Sequence, residues 1–161
     1  MKIGRITISD RASTGVYQDL SGPEIERVLG EFFDGAKFES VIVPDEKEII
    51  AAALLKFVDD LKFDLVVTTG GTGVSPRDVT PEATQAVLEK ELPGFGEAMR
   101  MQSLAKVKTA ILSRAVAGTR GRTLIVNLPG KPSAVRECLD VLAPAMREGM
   151  AHLRGEDPHK S

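Results

Sequence analysis

The stretch LVVTTGGTG, residues 65–73, decides the fold and indicates where a ligand binds. Its first half is apolar on both faces, which is typical of a central strand in a parallel sheet. Its second half places three glycines within four residues, so backbone N–H groups can surround an anion. A tight turn that only needs positive φ is the alternative. The glycine-rich stretch is not a P-loop, because no Gly-Lys-Ser/Thr follows it. It is not a dinucleotide-binding loop either, because Pro76 stands where the third glycine of that motif belongs.

Strand and helix patterns alternate on both sides of this stretch. Short β-branched segments predict further strands over residues 3–9, 38–44 and 123–128, and apolar residues at helical spacing lie between them. This alternation predicts a three-layer α/β/α fold with a mostly parallel central sheet. We expect a single domain over residues 1–154 and a polar, frayed tail over residues 155–161.

Local signals predict how some elements begin and end. Thr80 is expected to cap the helix that follows the glycine-rich stretch. Asp45 stands where a helix N-cap belongs, and the residues alone support a capping role and a catalytic role equally. Residues 110–112 suggest a short strand and residues 117–121 a turn, while Pro144 is expected to kink or break the last helix.

Composition excludes several classes of protein. The 161 residues carry a net charge of -2 and only 4% aromatic residues, so we expect no nucleic-acid partner. The N-terminus reads as a strand rather than a targeting signal, and no segment approaches the ~20 apolar residues of a membrane span. The single cysteine, Cys138, predicts a reducing compartment, the cytoplasm. His152 and His159 lie in no metal-spacing motif, and we expect them at the surface.

Polar or glycine-rich segments follow each of the predicted parallel strands. They are SDRAS at 9–13, PDE at 44–46, GGTGVSPRD at 70–78 and PGK at 129–131. Because ligands bind outside the carboxyl ends of parallel strands, these segments predict one site. Asp78 has no capping role, since Thr80 takes it. A loop carboxylate beside an anion cradle is repelled unless a cation intervenes, which favours Mg²⁺.

Seven segments resemble a known family. They are SDRAS (9–13), GVYQD (15–19), PDE (44–46), TGGTGVSPRDVTPEAT (69–84), PGFGEAMR (93–100), ILSR (111–114) and LIVNLPG (124–130). They are similar to the MogA-type molybdopterin adenylyltransferases of molybdenum cofactor biosynthesis. The resemblance implies a homotrimer that transfers AMP from ATP to the terminal phosphate of molybdopterin, with Mg²⁺ and release of pyrophosphate. The chain is too short for the second domain of the fused relatives, so a separate molybdate-inserting protein would take the product.

The resemblance also implies roles for individual residues. The family's two important aspartates correspond to Asp45 and Asp78, which are expected to be catalytic and to bind the metal. Its pterin-phosphate loop corresponds to Gly70, Gly71, Thr72, Gly73 and Ser75. The further substrate contacts that it implies are Ser9, Asp10, Ser113, Arg114, Asn127, Pro129 and Gly130.

The residues are consistent with such a transfer. The attacking phosphate, with a second pKa of about 6, is largely ionised at neutral pH and needs no general base. Our hypothesis is that residues 70–73 hold the pterin phosphate, the two aspartates hold Mg²⁺ on the ATP phosphates, and Arg77 or Lys131 neutralises pyrophosphate. A non-catalytic molybdopterin carrier is one alternative. A nucleotide-phosphate hydrolase is another, although the sequence offers no convincing base to activate water.

Overall fold

A computed structural model describes residues 1–160 and contains a six-stranded sheet. The strands are β1 (Lys2–Ile8), β2 (Lys37–Val43), β3 (Leu65–Thr69), β4 (Lys90–Glu91), β5 (Ala117–Arg120) and β6 (Thr123–Leu128). They lie in the order β2-β1-β3-β6-β5-β4. The first four of these pair in parallel, whereas β5 is antiparallel to both of its neighbours. The mostly parallel sheet predicted from the sequence is confirmed.

The helices connect the strands. They are α1 (Asp10–Ser13), α2 (Ser21–Phe32), α3 (Lys47–Leu55), α4 (Thr80–Val87), α5 (Pro93–Leu104) and α6 (Pro132–Leu153). A π-helical turn, Lys56–Asp60, extends α3, and a 3₁₀ helix, Lys108–Leu112, follows α5. No helix within residues 1–160 is both long enough and apolar enough to cross a membrane.

The central strand β3 is buried along its whole length because helices cover both faces of the sheet. Leu65 and Val67 pack in one apolar cluster with α2, α5 and α6, while Val66 packs in the other with α3 and α4. Successive side chains of a strand point to opposite faces, so this split follows from the period of two. The three-layer α/β/α fold is confirmed.

The segment between α5 and β6 differs from what the local sequence suggests. Residues 110–112 belong to the 3₁₀ helix and not to a strand, and residues 117–120 form β5 instead of a turn. The sequence predicts a turn at β5 because the segment contains Gly118, and glycine usually weakens a strand. Here a side chain at Gly118 would collide with the Lys90 carbonyl oxygen, so the pairing of β4 with β5 requires the glycine.

Pro144 does not break α6, which continues without interruption over 22 residues. A proline inside a helix removes one backbone hydrogen bond. Pro144 is exposed, so the unpaired carbonyl oxygen one turn earlier can turn towards water. Leu142 and Met146, which are buried on either side of it, hold the helix against the sheet.

Candidate functional site

Four loops meet at one edge of the sheet, called the carboxyl edge here. The strand register pairs Ile8 with Val43, and it pairs Thr69 with both Thr7 and Leu128. The carboxyl ends of β1, β2, β3 and β6 therefore lie level with one another. The loops that follow them meet at this edge, as the sequence predicted.

The glycine loop, residues 70–73, turns sharply away from β3. Gly70 and Gly71 have φ values of 96° and 67°, a region that L side chains rarely adopt. A Cβ on Gly70 would collide with the Ile8 carbonyl oxygen, and one on Gly71 with Thr80 Oγ1. The tight-turn interpretation is thus correct for these two glycines.

Only one of the glycine loop's four N–H groups is used within the described fold, that of Gly70, which donates to the Leu128 carbonyl oxygen (3.4 Å). The N–H groups of Gly71, Thr72 and Gly73 donate to no acceptor within the described chain. All four carbonyl oxygens of the loop, by contrast, accept hydrogen bonds, two from Thr80 and two from Arg114. A loop with hydrogen-bonded carbonyl oxygens and with N–H groups that are free to donate is typical of an anion-binding site.

Asp45 lies beside the glycine loop and does not cap a helix. The N-cap residue of α3 is Glu46, and it makes no side-chain capping bond. Asp45 Oδ2 accepts from the N–H of Asp10 (2.8 Å), and the Asp10 carboxylate accepts from the N–H of Asp45 (3.0 Å). Asp45 Oδ1 lies 3.0 Å from where a Cβ of Gly71 would be. The capping alternative is therefore wrong, and Asp45 faces the glycine loop.

Asp78 lies beside the same loop, next to Gly73. Its Oδ2 accepts from the N–H of Ser75 (3.0 Å) and lies 2.8 Å from where a Cβ of Gly73 would be. Thr80 does not cap α4 as expected: it is the first residue of that helix, and its hydroxyl donates to the Gly70 carbonyl. Both aspartates thus lie beside the glycine loop, one at Gly71 and the other at Gly73.

Burial and neighbouring negative charges both affect the pKa of the Asp45 carboxyl. Its pKa is raised, first by burial and then by the negative charges of Asp10 and Asp78. Asp10 differs, because a two-pronged hydrogen bond from Arg77 lowers the pKa of its carboxyl. Among residues 1–160, no basic side chain donates a hydrogen bond to Asp45 itself. An incompletely compensated carboxylate beside a second carboxylate fits a divalent cation such as Mg²⁺.

Arg114 braces the glycine loop. Its Nε donates to the Gly73 carbonyl (2.7 Å), one terminal nitrogen donates to the Asp78 carbonyl (2.8 Å), and the other pairs with Glu82. Burial has the largest single effect on Glu82 and raises its pKa. The hydrogen bond from Arg114, its own backbone N–H and the charges of Arg114 and Lys47 together outweigh burial, so the pKa of Glu82 is lowered. Arg114, predicted to contact substrate, instead has its guanidinium occupied by the loop and by Glu82.

Two cavities open on either side of the segment Pro129–Gly130. The Tyr17 cavity, about 200 Å³, is lined by Thr7, Ile8, Ser9, Ala12, Tyr17, Asp19, Ser21, Thr69, Gly70 and Gly130. The Lys131 cavity, about 270 Å³, has walls from α5, the 3₁₀ helix and the start of α6, and includes Arg100, Lys106, Ser113, Pro129, Lys131 and Cys138. The predicted contacts Ser9, Gly70 and Gly130 therefore line one cavity, and Ser113 and Pro129 line the other.

Asn127 does not reach either cavity. It is 0% exposed, and its amide donates to the hydroxyls of Thr68 and Thr84 and accepts from the N–H of Val116. Every polar group of this side chain is thus used to join β6 to β3, to α4 and to Val116, the residue before β5. The prediction that Asn127 contacts substrate is not supported by this structure, because a fully enclosed amide has no exposed surface to offer.

Sequence reasoning missed the charged network beneath the Tyr17 cavity. Arg5, on β1, donates to Asp19 (2.7 Å) and Glu26 (3.0 Å), and Asp19 also accepts from Thr7 Oγ1 (2.8 Å) and the N–H of Gly22 (2.9 Å). An arginine within a buried strand is the signal that could have revealed it, because such a charge needs a partner. The network holds the segment that carries Tyr17 against the sheet.

Comparisons with known proteins agree with the motifs. Residues 4–148 match the family described as a probable molybdopterin binding domain. A protein of Helicobacter pylori named molybdopterin adenylyltransferase is 56% identical over 89% of this chain and 82% of its own length. One with the same name in Escherichia coli K12 is 47% identical over 94% of this chain and 78% of its own length.

Solved structures agree as well. A MogA structure is 40% identical, has a TM-score of 0.89 and matches 95% of this chain and 99% of its own. The molybdopterin biosynthesis enzyme MoaB of Thermus thermophilus is 42% identical, with a TM-score of 0.86, over 96% and 97% of the two chains. Shared sequence over most of the length and a shared fold lead to one conclusion: the chain belongs to the MogA and MoaB family of proteins built on the molybdopterin-binding domain.

Proposed function

We propose that this protein transfers AMP from ATP to the terminal phosphate of molybdopterin and releases pyrophosphate. The observation that carries the proposal is the placement of Asp45 beside Gly71 and of Asp78 beside Gly73, in a loop with three N–H groups that have no acceptor within the described chain. Relatives named molybdopterin adenylyltransferase at 47% and 56% identity support it.

The reaction joins two polyanions, so the site must position them. An oxygen of the pterin phosphate attacks the α-phosphorus of ATP, a new phosphorus–oxygen bond forms, and the bond to the β-phosphate oxygen breaks. The electron pair leaves with pyrophosphate. Since the nucleophile is already ionised at neutral pH, alignment and charge neutralisation are what the protein supplies.

The glycine loop is the proposed holder of the pterin phosphate. Its three available N–H groups donate without adding a positive charge that would compete for the nucleotide. Arg114 stabilises the conformation of the loop by donating hydrogen bonds to the carbonyl oxygens of Gly73 and Asp78. The Lys131 cavity lies on the other side of Pro129, and its Lys131 ammonium is the proposed partner for pyrophosphate. Arg77 is less suited to that role, since Asp10 already occupies its guanidinium.

The same aspartates fit Mg²⁺. Asp45 Oδ1 and Asp78 Oδ1 accept no hydrogen bond within the described chain, and oxygen ligands are those that Mg²⁺ prefers. When bound there, the ion would offset the negative charge of the ATP phosphates. The chain's own contribution is to hold both carboxylates in place, through the N–H of Asp10 for one and the N–H of Ser75 for the other.

We also propose that three copies of the chain associate. Five apolar side chains of α5 and the segment after it are exposed: Met101, Leu104, Val107, Ile111 and Leu112. An exposed apolar patch on a protein of this size favours an interface between copies.

We further propose that the adenylylated product passes to a separate molybdate-inserting protein. The reduced Cys138 is consistent with a cytoplasmic location for both steps.

A pyrophosphate assay tests the proposal. The protein is mixed with ATP and Mg²⁺, and pyrophosphate and phosphate are measured with and without molybdopterin. The proposal expects pyrophosphate only when the pterin is present. Pterin binding without pyrophosphate would indicate a carrier, and phosphate release that does not depend on the pterin would indicate a hydrolase.

A further inference from the structure

The C-terminal segment turns back along α6. Gly155, with a φ of 80°, reverses the chain directly after the helix. Its N–H donates to the His152 carbonyl (2.9 Å), and the N–H of Glu156 donates to the Ala151 carbonyl (3.0 Å). This pair of bonds is a Schellman motif, which ends helices in a defined direction. Residues 156–160 are thus directed back towards the helix surface.

This reversal brings the chain's only two histidines together. Glu148 and His152 are four residues apart on α6 and share one face. His159 reaches the same face from the tail, with Nε2 3.0 Å from Glu148 Oε1, and His152 Nε2 lies 3.9 Å from that oxygen. One ligand atom from each residue lies within 4.8 Å of the others.

We propose that Glu148, His152 and His159 bind a divalent transition-metal ion of the Zn²⁺ type. Tetrahedral Zn²⁺, bound at about 2.0–2.2 Å, places neighbouring ligand atoms roughly 3.4 Å apart. The separations of 3.0 and 3.9 Å bracket that value. Two imidazoles and one carboxylate are typical zinc ligands, whereas Mg²⁺ prefers oxygen. All three side chains are exposed, so water can complete the coordination.

The surrounding charges leave this site accessible. Arg154 is paired with Glu156 (2.7 Å), and Asp157 accepts from the backbone N–H of His159 (3.0 Å), which holds the main chain of the tail at that residue. Lys160 Nζ lies 3.7 Å from Asp157. The site is also far from the aspartates: α6 starts at the carboxyl edge and runs about 33 Å to its other end. A metal here would fix the tail to α6 without touching the glycine loop.

Titration of the full chain with ZnCl₂ alone, without Mg²⁺ or nucleotide, tests the proposal. Calorimetry should show saturable binding of one equivalent, and both imidazole signals in the NMR spectrum should change together. His152→Gln and His159→Gln should each weaken binding roughly tenfold or more. Lys160→Ala is the matched control: it alters the same tail without removing a ligand, so binding should not weaken.

Two results would overturn the proposal. One is the absence of saturable binding, and the other is binding that survives the loss of either histidine. Both histidines are exposed, so neither substitution should unfold the chain, and circular dichroism checks this. Pyrophosphate release by the two variants should match the unaltered protein. The metal site can therefore fail, or hold, independently of the proposed adenylyl transfer.

Discussion

Asp19 and Asp45 lie at the same edge of the sheet, and their surroundings are opposite. Asp19 receives hydrogen bonds from a buried arginine, a threonine hydroxyl and a backbone N–H. Asp45 receives one, from the N–H of Asp10, and faces two further carboxylates. The first arrangement satisfies the charge within the fold. The second leaves the negative charge of Asp45 without a basic partner in the described part of the fold, as expected of a carboxylate that binds a ligand. That contrast distinguishes a structural acid from a functional one.

The contrast extends to the backbone. The Asp19 network is held by regular structure, since β1 carries Arg5 and α2 supplies the N–H of Gly22. The Asp45 region rests on Gly70 and Gly71, both with positive φ. Unusual backbone conformations are kept where the surrounding structure enforces them, and they concentrate at functional sites. Four predictions test whether the two regions differ in this way.

Asp78→Asn should have the largest effect, on turnover. Asparagine can still accept from the N–H of Ser75, so the loop should keep its shape while losing a charge. We expect pterin-dependent pyrophosphate release to fall by about 10²–10³, the size of effect seen when one electrostatic contact is removed from an active site. Molybdopterin binding, measured separately, should persist because backbone N–H groups hold the phosphate.

The control for this variant is Asp140→Asn, which removes an exposed acid from α6 and should leave turnover unchanged. Stability of both variants in urea should stay within about 0.5 kcal/mol of the unaltered protein. Unchanged turnover in Asp78→Asn would show that its charge is not used.

Asp19→Asn should instead act on stability. The side chains of Arg5 and Asp19 are only 9% and 8% exposed, and removing one partner of a buried pair costs about 3–5 kcal/mol. Arg5 keeps Glu26, so we expect a loss near the lower figure, about 3 kcal/mol, in the free energy of unfolding measured with urea.

Glu26→Gln is the matched control, because the Glu26 side chain is 33% exposed and pairs with the same arginine. Its cost should stay below about 1 kcal/mol. Equal losses in the two variants would mean that Asp19 is not the partner that stabilises Arg5.

Gly71→Ala tests the backbone half of the comparison against Gly35→Ala. Both glycines have positive φ, 67° and 73°, so both variants should lose about 1 kcal/mol from that alone. A Cβ on Gly35 meets nothing within 4 Å, whereas one on Gly71 meets Thr80 Oγ1 and Asp45 Oδ1. Gly71→Ala should therefore cost about 2 kcal/mol in urea unfolding and also reduce pyrophosphate release. Equal stability losses would contradict the crowding seen at Gly71.

The sequence predicted the fold where the pattern is local. Alternation of β-branched strands with amphipathic helices was enough for the layers, and the apolar run 65–69 was enough to place β3 at the centre. The strand β5 could not be predicted, because Gly118 is explained by the carbonyl of Lys90, which tertiary structure alone brings there.

The same limit applies to the candidate site. Asp45, Asp78 and the glycine loop follow strands whose ends must meet, so their convergence could be predicted. The surroundings of Arg114 and Asn127 could not be predicted, because nothing local shows that one braces the loop and that the other is enclosed between strands. A motif predicts that a residue matters to a site, and only the packing shows whether it contacts the ligand.

The smallest effect concerns the charge of Asp45 and its sign with pH. Burial, followed by the charges of Asp10 and Asp78, raises the pKa of Asp45, so the folded state binds a proton there more tightly than the unfolded chain does. Its ionisation therefore opposes folding at neutral pH. Asp45→Asn should therefore be slightly more stable than the unaltered protein in urea at about pH 7.5.

That gain should shrink as pH falls through the raised pKa and vanish below the ordinary aspartate value of about 3.9. Asp59→Asn should behave in the opposite sense, because a hydrogen bond from Arg120 lowers the pKa of Asp59. Its stabilising charge is present above the ordinary value and is lost on acidification, so this variant should be the less stable one at neutral pH. If Asp45→Asn followed the same course as Asp59→Asn, the Asp45 carboxylate would already be compensated within the fold, and the distinction from Asp19 would fail.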